Sequence, residues 1–302
     1  MPSKNPTQKF TSSSNIMTYK DIAKGIKDLT IQGAEAIAVA AVDALSQVLA
    51  STTDQKKIQK AYNELINLRA TEPALRNALN YCMANFKKEK NCAGKVKKHF
   101  EESQKKIAEY GAKKILNGMI VFTHCHSSTV ERILIEAHKQ GKKFTVYNTE
   151  TRPKFQGRKT ATNLAKAGIK VVHMVDSAGR TALKKADLFL YGCDSLSSEG
   201  KTINKIGTEA LAEFCNKARI PVYCCTNTWK FNPETITGFD ETIELRDPKE
   251  VWPEAPKGVT IFNPAFEIIS PDIITGCITE IGIFKPESIV NRIAVVYPWL
   301  VA

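Results

Sequence analysis

The chain lacks the glycine-rich signatures of nucleotide-cofactor sites. No G-x-G-x-x-G follows an apolar run typical of a strand, and no Walker loop occurs anywhere in the 302 residues. These absences argue against a bound dinucleotide or nucleoside triphosphate. We therefore expect the side chains to carry any chemistry, with no cofactor.

Long apolar runs are also missing. We expect no stretch long enough to span a bilayer, and residues 1–6 lack the apolar core of a secretory signal. Residues 1–17 are polar and rich in Ser, Thr and Asn, which predicts a flexible N-terminus. Together these features favour a cytoplasmic protein that does not bind membranes.

The eight cysteines include no C-x-x-C pair, so neither a zinc ribbon nor a redox motif is expected. Most of them lie in apolar contexts that resemble strands or helices. Buried, reduced thiols are the simplest interpretation for seven of the eight. Cys125 is the exception, because polar residues surround it.

Basic residues exceed acidic ones and give a net charge of +12. Half of that excess lies in residues 85–114, where ten Lys and four Glu leave +6. These lysines are spread around a predicted helix and no arginine is interleaved with them. A solvated helix face is favoured over an RNA site, so nucleic acid is not an expected partner. RNA binding through these lysines stays as the weakest alternative.

The spacing of apolar residues changes near residue 118. Before it, helical spacing predicts helices over 31–48, 53–68, 71–83 and 93–116, with Asp54 or Thr53 and then Thr71 as N-caps. After it, predicted strands at 119–123, 144–147, 171–174, 187–191 and 221–225 alternate with helices at 128–140, 159–167, 178–185 and 207–218. A final strand pair is predicted at 259–262 and 273–279.

This alternation predicts an α/β fold. We expect an N-terminal helical domain over residues 18–117, followed over 118–302 by a doubly wound, mostly parallel Rossmann-like catalytic domain. In such folds ligands bind beyond the carboxyl ends of the strands. The residues that follow each predicted strand are therefore the candidates for function.

The first predicted strand ends in Thr-His-Cys-His-Ser-Ser-Thr over residues 123–129. Ser127 or Ser128 can cap the following helix, whose free N–H groups can hold a phosphate. A thiol near a helix N-terminus tends towards a lowered pKa, which would suit Cys125 as an acid or a base. A buried structural cysteine is the alternative. Adjacent side chains of a strand point to opposite faces, so His124, Cys125 and His126 cannot chelate a metal together, and we expect no metal site.

The loop after the second predicted strand is rich in cations and hydrogen-bond donors. Arg152 or Arg158 can grip a phosphate in bidentate fashion, although an exposed basic turn is the alternative. After the third strand, Asp176 is interpreted as a helix cap. Lys230 follows the fifth strand and can reach the same edge of the sheet.

The fourth predicted strand is followed by Asp194, and Asn204 and Lys205 come shortly before the next helical pattern. Glycines on both sides let the chain turn tightly here. A carboxylate, an amide and an ammonium at one strand end suit a phosphorylated polyol better than a structural turn.

These segments together resemble the initiation factor 2B alpha/beta/delta family and its metabolic relatives, methylthioribose-1-phosphate isomerase and archaeal ribose-1,5-bisphosphate isomerase. The resemblance covers most of the chain. It is carried by Thr-His-Cys-His-Ser-Ser at 123–128, Thr-Glu-Thr-Arg-Pro-Lys-Phe-Gln-Gly at 149–157, Gly-Cys-Asp at 192–194, Ile-Asn-Lys-Ile-Gly-Thr at 203–208, Thr-Trp-Lys-Phe-Asn-Pro-Glu-Thr at 228–235 and Asn-Pro-Ala-Phe at 263–266.

The resemblance implies a catalytic Cys125 and Asp194, a pair that the regulatory translation subunits generally lack. The loop at 151–157 looks most like that of the ribose-1,5-bisphosphate isomerases. This implies conversion of ribose 1,5-bisphosphate to ribulose 1,5-bisphosphate, a step of nucleotide salvage. The residues implied to contact the phosphorylated ribose are Gln32, Gly33, Ala34, Ser127, Ser128, Thr129, Arg152, Gln156, Gly157, Asn204, Lys205 and Lys230.

Two positions depart from the isomerase pattern. Gln32 stands where the isomerases carry the arginine of an Arg-Gly-Ala motif, and Glu72 stands where they carry the arginine of a Thr-Arg-Pro motif. Glu35 adds another negative charge, while Arg69 or Arg76 can compensate. Each charge-assisted hydrogen bond contributes roughly 1.5–3 kcal/mol, so these changes bear on which sugar phosphate is bound.

In the expected mechanism, Asp194 protonates or polarises the ring oxygen and Cys125, as a thiolate, takes the proton from C2. A hydride shift is the alternative route. The alternative function is a non-catalytic regulatory subunit that senses a sugar phosphate or a nucleotide.

The resemblance also implies a homodimer through the C-terminal domain, or a hexamer built as a trimer of dimers. A nucleotide effector is a further expectation. An apolar cluster over 262–274 favours such an interface, and a core segment is the alternative.

Overall fold

The computed structural model describes residues 17–28, 30–31, 33–69, 72–89, 91–239 and 241–301. The predicted flexible segment lies almost wholly outside this range, as does Gln32. Five helices come first: α1 Tyr19–Lys27, α2 Ala34–Ser51, α3 Gln55–Ile66, α4 Pro73–Asn85 and α5 Cys92–Ala112. Four of them match the predicted helices. The pattern analysis did not find α1, which begins at a capping box between Thr18 and Asp21.

The second part of the chain alternates strands and helices. Its elements are β1 Ile120–Thr123, α6 Ser128–Lys139, β2 Thr145–Thr149, α7 Gln156–Lys166, β3 Lys170–Met174, α8 Gly179–Leu183, β4 Leu188–Gly192, β5 Ser195–Leu196, β6 Thr202–Lys205, α9 Thr208–Ala218, β7 Val222–Cys225, β8 Phe266–Ile269, β9 Gly276–Thr279, β10 Gly282–Phe284 and α10 Ile289–Val296. The predicted α/β architecture is therefore confirmed, with helices first and a mostly parallel sheet after them.

The main sheet has the strand order β10-β9-β7-β4-β1-β2-β3. All neighbours are parallel except the pair of β9 and β10. The chain runs outward from β1 through β2 to β3, then returns to place β4 on the other side of β1. The strand order thus reverses between β1 and β4, and such a reversal opens a crevice at the carboxyl ends of the two strands. A second, antiparallel sheet joins β5, β6 and β8 beside that crevice.

The predicted strand over 259–262 is wrong. These residues form no strand, and Val259 and Phe262 are exposed, so the run has no core to pack against. The other member of the predicted pair corresponds to β9. The N-cap prediction for α4 is also wrong, because Glu72 occupies that position and its side chain makes no cap hydrogen bond.

Strand β4 shows how the sheet is held. Leu188 and Leu190 pack into the core on one face, with α5, α6 and β2, while Phe189 and Tyr191 pack into the core on the other face. Successive side chains of a strand point to opposite faces, so a strand buried on both sides reads as a continuous apolar run. Burial of each such side chain contributes roughly 1.5–3 kcal/mol. The core that contains Phe189 and Tyr191 also contains residues of α2, α4 and α5, so it joins the N-terminal helices to the sheet.

One described helix, α2, is long and apolar enough to cross a membrane by length and composition. The expectation that no apolar stretch reaches that length is therefore wrong by this criterion. Seven residues of α2 are buried, and they pack in the same core as residues of α1, α4 and α5. The apolar character of α2 is explained by this packing, since a helix surrounded by others needs few polar faces.

Candidate active site

Cys125 lies directly after β1, in the left-handed backbone region with φ of 68°. Its N–H donates to Oγ1 of Thr151 at 3.0 Å, and its carbonyl accepts from the hydroxyl of Thr160 at 3.1 Å. Its Sγ lies 3.8 Å from Oε1 of Gln156. A cysteine in this conformation is strained, and it persists only where the surroundings fix it, as they commonly do at functional sites.

Burial raises the pKa of the Cys125 thiol to about 11. The charge of Lys205 and the backbone N–H of His126 act in the opposite direction and are outweighed. The expected lowering of this pKa by the helix N-terminus is therefore wrong. The free-energy cost of desolvating a buried thiolate exceeds the stabilisation that these two groups provide.

The neighbouring histidines have separate partners, and Nδ1 of His126 lies 3.1 Å from the hydroxyl of Thr160. His124 is buried with Nε2 2.9 Å from the carbonyl of Ile206 and Nδ1 2.6 Å from the hydroxyl of Thr149. Since a carbonyl only accepts, Nε2 carries the proton and Nδ1 accepts from Thr149. Burial lowers the pKa of His124, which suits this neutral form. Among the described residues no cluster of three or more metal-binding side chains occurs.

The N-terminus of α6 adjoins Cys125. Ser127 is its N-cap, and its hydroxyl accepts from the N–H of Val130 at 3.3 Å. Ser128 is exposed and Thr129 half-buried, both in the first turn. Gly192, at the end of β4, lies so close that a Cβ there would stand 2.6 Å from Oγ of Ser127. The free N–H end of α6 therefore faces the crevice between β1 and β4, where an anion can bind.

The loop after β2 has two further left-handed residues, Thr151 and Phe155. Asp176 holds this loop, because its two carboxylate oxygens each accept at 2.7 Å from the backbone N–H of Thr151 and Arg152. The interpretation of Asp176 as a helix cap is thus wrong. Its carboxylate instead positions Thr151, which in turn holds the backbone of Cys125.

Gln156 and Gly157 begin α7. Gly157 packs so tightly that a Cβ would lie 1.8 Å from the carbonyl oxygen of Thr149. Its own carbonyl accepts from the buried amide of Asn148 at 2.7 Å. Only glycine fits at this point, and the close approach places Gln156 next to the Cys125 thiol.

The two arginines of this loop stack on Phe155, with guanidinium carbons 5.0 Å (Arg152) and 3.8 Å (Arg158) from the ring centroid. Arg158 pairs with Glu150 at 3.2 Å. Arg152 is exposed and donates to the carbonyl of Val251 at 3.3 Å. Of the two, Arg152 has no carboxylate partner within 4.0 Å among the described residues.

Asp194 follows β4 and is half-buried, and its N–H donates to the carbonyl of Ile203 at 2.8 Å. Asn204 and Lys205 are buried in β6, a strand that the sequence pattern did not predict. The amide of Asn204 donates to the hydroxyl of Thr208 at 2.9 Å.

Lys205 lies with Nζ 4.7 Å from the centroid of the Phe266 ring. Burial lowers its pKa, whereas the negative charges that Cys125 and Asp194 can carry raise it. Lys205 thus interacts with both predicted catalytic residues. We call Cys125, Asp194 and Lys205 the strand wall of the crevice.

Lys230 belongs to a short 3-10 turn at Thr228–Lys230. Its ammonium donates to the carbonyl of Cys193, next to Asp194. Two buried residues that the sequence analysis missed hold the turn. Glu280 accepts from the N–H and the hydroxyl of Thr228, and the amide of Asn77 donates to the carbonyl of Trp229 at 2.8 Å.

The opposite side of the crevice comes from the helical part. Gly33 (φ 94°) and the buried Ala34 start α2, and the next residue, Glu35, bonds to Gln104. Burial raises the pKa of Glu35, and the charge of Lys230 opposes this. Gln32 lies outside the described residues.

Glu72 is 4% exposed and lies close enough to Asp194 for their charges to interact. Burial and, to a smaller extent, the charge of Asp194 raise the pKa of Glu72 to about 8 against the opposing charges of Lys230 and Arg69. We call Arg69, Glu72 and the start of α2 the helical wall.

The sequence analysis also missed a charged chain behind Lys205. Glu244 pairs with Arg69 at 3.3 Å and with Arg246 at 3.7 Å. The charge of Arg246 lowers the pKa of Lys205 and that of Glu244 raises it. Glu244 and Arg246 lie in the irregular segment before β8, where no periodic spacing of apolar residues indicates them. Arg76 pairs instead with Glu234 at 3.4 Å, away from Glu72.

Comparison with known proteins shows which family this chain matches. Residues 30–286 match the initiation factor 2 subunit family. Ribose 1,5-bisphosphate isomerase of Thermococcus kodakarensis is 36% identical over 304 residues, which cover 92% of this chain and 94% of that one. Methylthioribose-1-phosphate isomerase of Thermoanaerobacter is 33% identical and covers 89% of this chain and 88% of its own.

Solved structures agree with this result. The translation initiation factor eIF-2B of Pyrococcus horikoshii superposes with a TM-score of 0.79 at 26% identity, covering 89% of this chain and 97% of that one. The 5-methylthioribose 1-phosphate isomerase of the same organism gives 0.77 at 25% identity, covering 92% and 88%. The match over most of the chain, together with the crevice between β1 and β4, shows that this protein belongs to the initiation factor 2 subunit family.

Proposed function

We propose that this chain is an aldose–ketose isomerase that converts ribose 1,5-bisphosphate to ribulose 1,5-bisphosphate. The relatives that carry this name are 33–36% identical over most of the chain. The observation that carries the proposal is the strand wall. Cys125 and Asp194 lie on the two sides of the strand-order reversal, and Lys205 interacts with both.

In this reaction the ring must open, because the sugar is closed and phosphorylated at C1. Asp194 gives a proton to the ring oxygen as its bond to C1 breaks. The thiolate of Cys125 then takes the proton from C2, which leaves an enediol. Cys125 returns that proton to C1 while Asp194 recovers one from the C2 hydroxyl, so both groups end as they began. A hydride shift from C2 to C1 is the alternative.

Lys205 has a separate role in this scheme. The buried thiol holds its proton tightly, and the positive charge of Lys205 favours the thiolate. Gln156 orients the same sulfur. The water-poor position of Cys125 also shields the enediol from side reactions.

The substrate's phosphates are bound by groups around the crevice. The first turn of α6, with Ser127, Ser128 and Thr129, suits one of them. Asn204, Lys230 and Arg152 supply an amide and two cations, and Gly157 and the start of α2 allow close approach of the backbone. No cofactor is part of the proposal.

The test is a coupled assay of the purified protein with ribose 1,5-bisphosphate and no added cofactor. Formation of ribulose 1,5-bisphosphate is expected. Asp194→Asn keeps the size of the side chain and loses its transferable proton, so kcat should fall about 100-fold or more. Equal turnover by the Asn variant would show that Asp194 is only a turn residue.

The second candidate function is a non-catalytic regulatory subunit that senses a sugar phosphate or a nucleotide. The buried carboxyl of Glu72 favours it, because a cation there would bind phosphate more strongly. Under this alternative the protein would bind the bisphosphate and return it unchanged in the same assay. A nucleotide effector would then appear as a ligand without turnover.

We also propose a homodimer, with a hexamer as its larger form. Half of the predicted apolar cluster over 262–274 belongs to the core, since Phe266, Ile269 and Ile274 are buried. The exposed apolar residues of the preceding segment offer a better interface: Ile236, Phe239, Leu245, Trp252, Val259 and Phe262. Light scattering of the wild type and of a Phe239→Ser, Phe262→Ser variant tests this, since only the wild type should be larger than a monomer.

Three of the five lysines of α5 make ion pairs. Lys95 pairs with Glu89, Lys97 with Asp43 and Lys98 with Glu102. These pairs support a solvated helix face rather than a nucleic-acid site. A cytoplasmic location is part of the proposal as well.

A further inference from the structure

Glu72 is a buried carboxyl in the crevice that the proposed reaction does not use. It occupies the N-cap position of α4, where a carboxylate would ordinarily accept a hydrogen bond from the first turn, yet its side chain makes no such bond. Its Oε2 atom is fully buried and has no hydrogen-bond partner among the described residues. The side chain therefore has a polar atom that a ligand in the crevice can satisfy.

Charges from several elements face this carboxyl. Asp194 approaches from the end of β4, and Glu244 from the segment before β8. Lys230 approaches from the 228–230 turn and Arg69 from the end of α3. None of them forms an ion pair with Glu72 within 4.0 Å in the part of the chain that the structure describes. An ionised carboxylate that is buried and unpaired costs several kcal/mol, so the uncharged acid is the favoured form.

We propose that Glu72 binds the substrate as an uncharged carboxylic acid, donating a hydrogen bond to a phosphate oxygen in the crevice, and that its ionisation switches this binding off. The inference rests on the proposed function and makes Glu72 a specificity-determining residue of the same site. The acid offers one donor to a phosphate. Its conjugate base offers none and repels the phosphate's negative charge.

The consequence is a binding constant that depends on the protonation of one residue. When ligand binds only the protonated form, Kd rises about tenfold per pH unit once the carboxyl has ionised. A glutamine at this position is uncharged at every pH and keeps an N–H donor. The Glu72→Gln variant should therefore bind the substrate as the wild type does at low pH. At high pH its Kd should lack the rise that ionisation of Glu72 causes in the wild type.

Binding is best measured in Cys125→Ser protein, so that the substrate is not consumed. Calorimetry with ribose 1,5-bisphosphate from pH 6.5 to 9.5 compares three proteins. The first is the single variant Cys125→Ser, the second is the double variant Cys125→Ser, Glu72→Gln, and the third is the double variant Cys125→Ser, Glu213→Gln. Glu213 is an exposed residue of α9 and serves as the matched control. Above pH 8 we expect the Kd ratio between the first two proteins to grow by up to about tenfold per pH unit, and the control to follow the first.

Lys205 also loses charge at high pH, but it does so in all three proteins and cancels in the ratio. Titrations at pH 8.5 in two buffers of different ionisation enthalpy add an independent readout. The protein with Glu72 should take up more protons on binding than the glutamine variant, by up to one per site. Three results would each overturn the inference. They are pH curves of Kd that run parallel in the first two proteins, equal proton uptake by those two proteins on binding, and no binding of the bisphosphate at pH 6.5.

The coupled assay separates this inference from the proposed function. Binding with the expected pH dependence but without turnover in the wild type would refute the isomerase and leave the role of Glu72 standing. Turnover together with parallel pH curves would do the reverse.

Discussion

The two walls of the crevice are built in different ways. On the strand wall, hydrogen bonds from neighbouring loops and helices hold the polar groups. Cys125 is the clearest case, with bonds to Thr151 and Thr160 and its sulfur beside Gln156. On the helical wall, Glu72 is buried with an oxygen that has no partner among the described residues. The proposed function assigns the reacting atoms to the first wall and the response to the charge of the ligand to the second.

If this comparison is right, changes in the strand wall act on kcat and changes in the helical wall act on substrate binding. The largest effect is expected from Cys125→Ser. A serine hydroxyl is far less acidic than a thiol, so kcat should fall about 1,000-fold or more while ligand binding is retained. The coupled assay and calorimetry measure the two quantities. Turnover like that of the wild type would remove Cys125 from the mechanism.

The second effect tests the scaffold of the strand wall. Gly157→Ala places a Cβ 1.8 Å from the carbonyl oxygen of Thr149, and the backbone must move to relieve the clash. We expect a loss of about 3 kcal/mol in the free energy of unfolding. Gly238→Ala is the control for steric contact, because no atom lies within 4 Å of the added Cβ; Gly238, unlike Gly157, has a positive φ (88°), so its loss reflects backbone conformation alone. That variant should lose only about 1 kcal/mol. Equal losses in urea unfolding would contradict the packing argument.

The third effect concerns the charge beside the thiol. Lys205 lowers the pKa of Cys125, so Lys205→Met should raise that pKa and reduce the thiolate present at a given pH. The rate of alkylation by iodoacetamide at pH 8 should fall about tenfold. Cys125→Ser protein gives the background from the other seven buried cysteines. An unchanged alkylation rate would show that Lys205 acts on the substrate alone.

The smallest effect sharpens the contrast from the helical side. The pKa of Glu72 is raised above its ordinary value of 4.5, so between that value and about 8 the folded protein holds more protons than the unfolded chain. Stability from this group therefore falls as pH rises through that window. Glu72→Gln removes the effect. Its free energy of unfolding relative to the wild type should increase by more than about 1 kcal/mol from pH 5 to pH 8. A constant difference would mean that folding does not raise the pKa of Glu72.

Much of the fold could be predicted because local patterns carry it. Four of the five described helices before β1 and the first five strands of the main sheet in chain order follow from apolar spacing. The helices α1 and α10 and the strands β5, β6, β8 and β10 were missed. They are short or amphipathic segments whose register is set by contacts with distant residues, as when Lys205 pairs across to Phe266.

The sequence by itself determined which residues follow the strands, and so identified Cys125 and Asp194 as the candidates for chemistry. Only the tertiary structure decided that β4 lies next to β1, which places Cys125 and Asp194 on the two sides of one crevice. It also decided the balance between burial and charge. A helix N-terminus in the sequence suggests an acidic thiol, yet the pKa of Cys125 is raised, because desolvation depends on every atom packed around the sulfur and not on its neighbours in the chain.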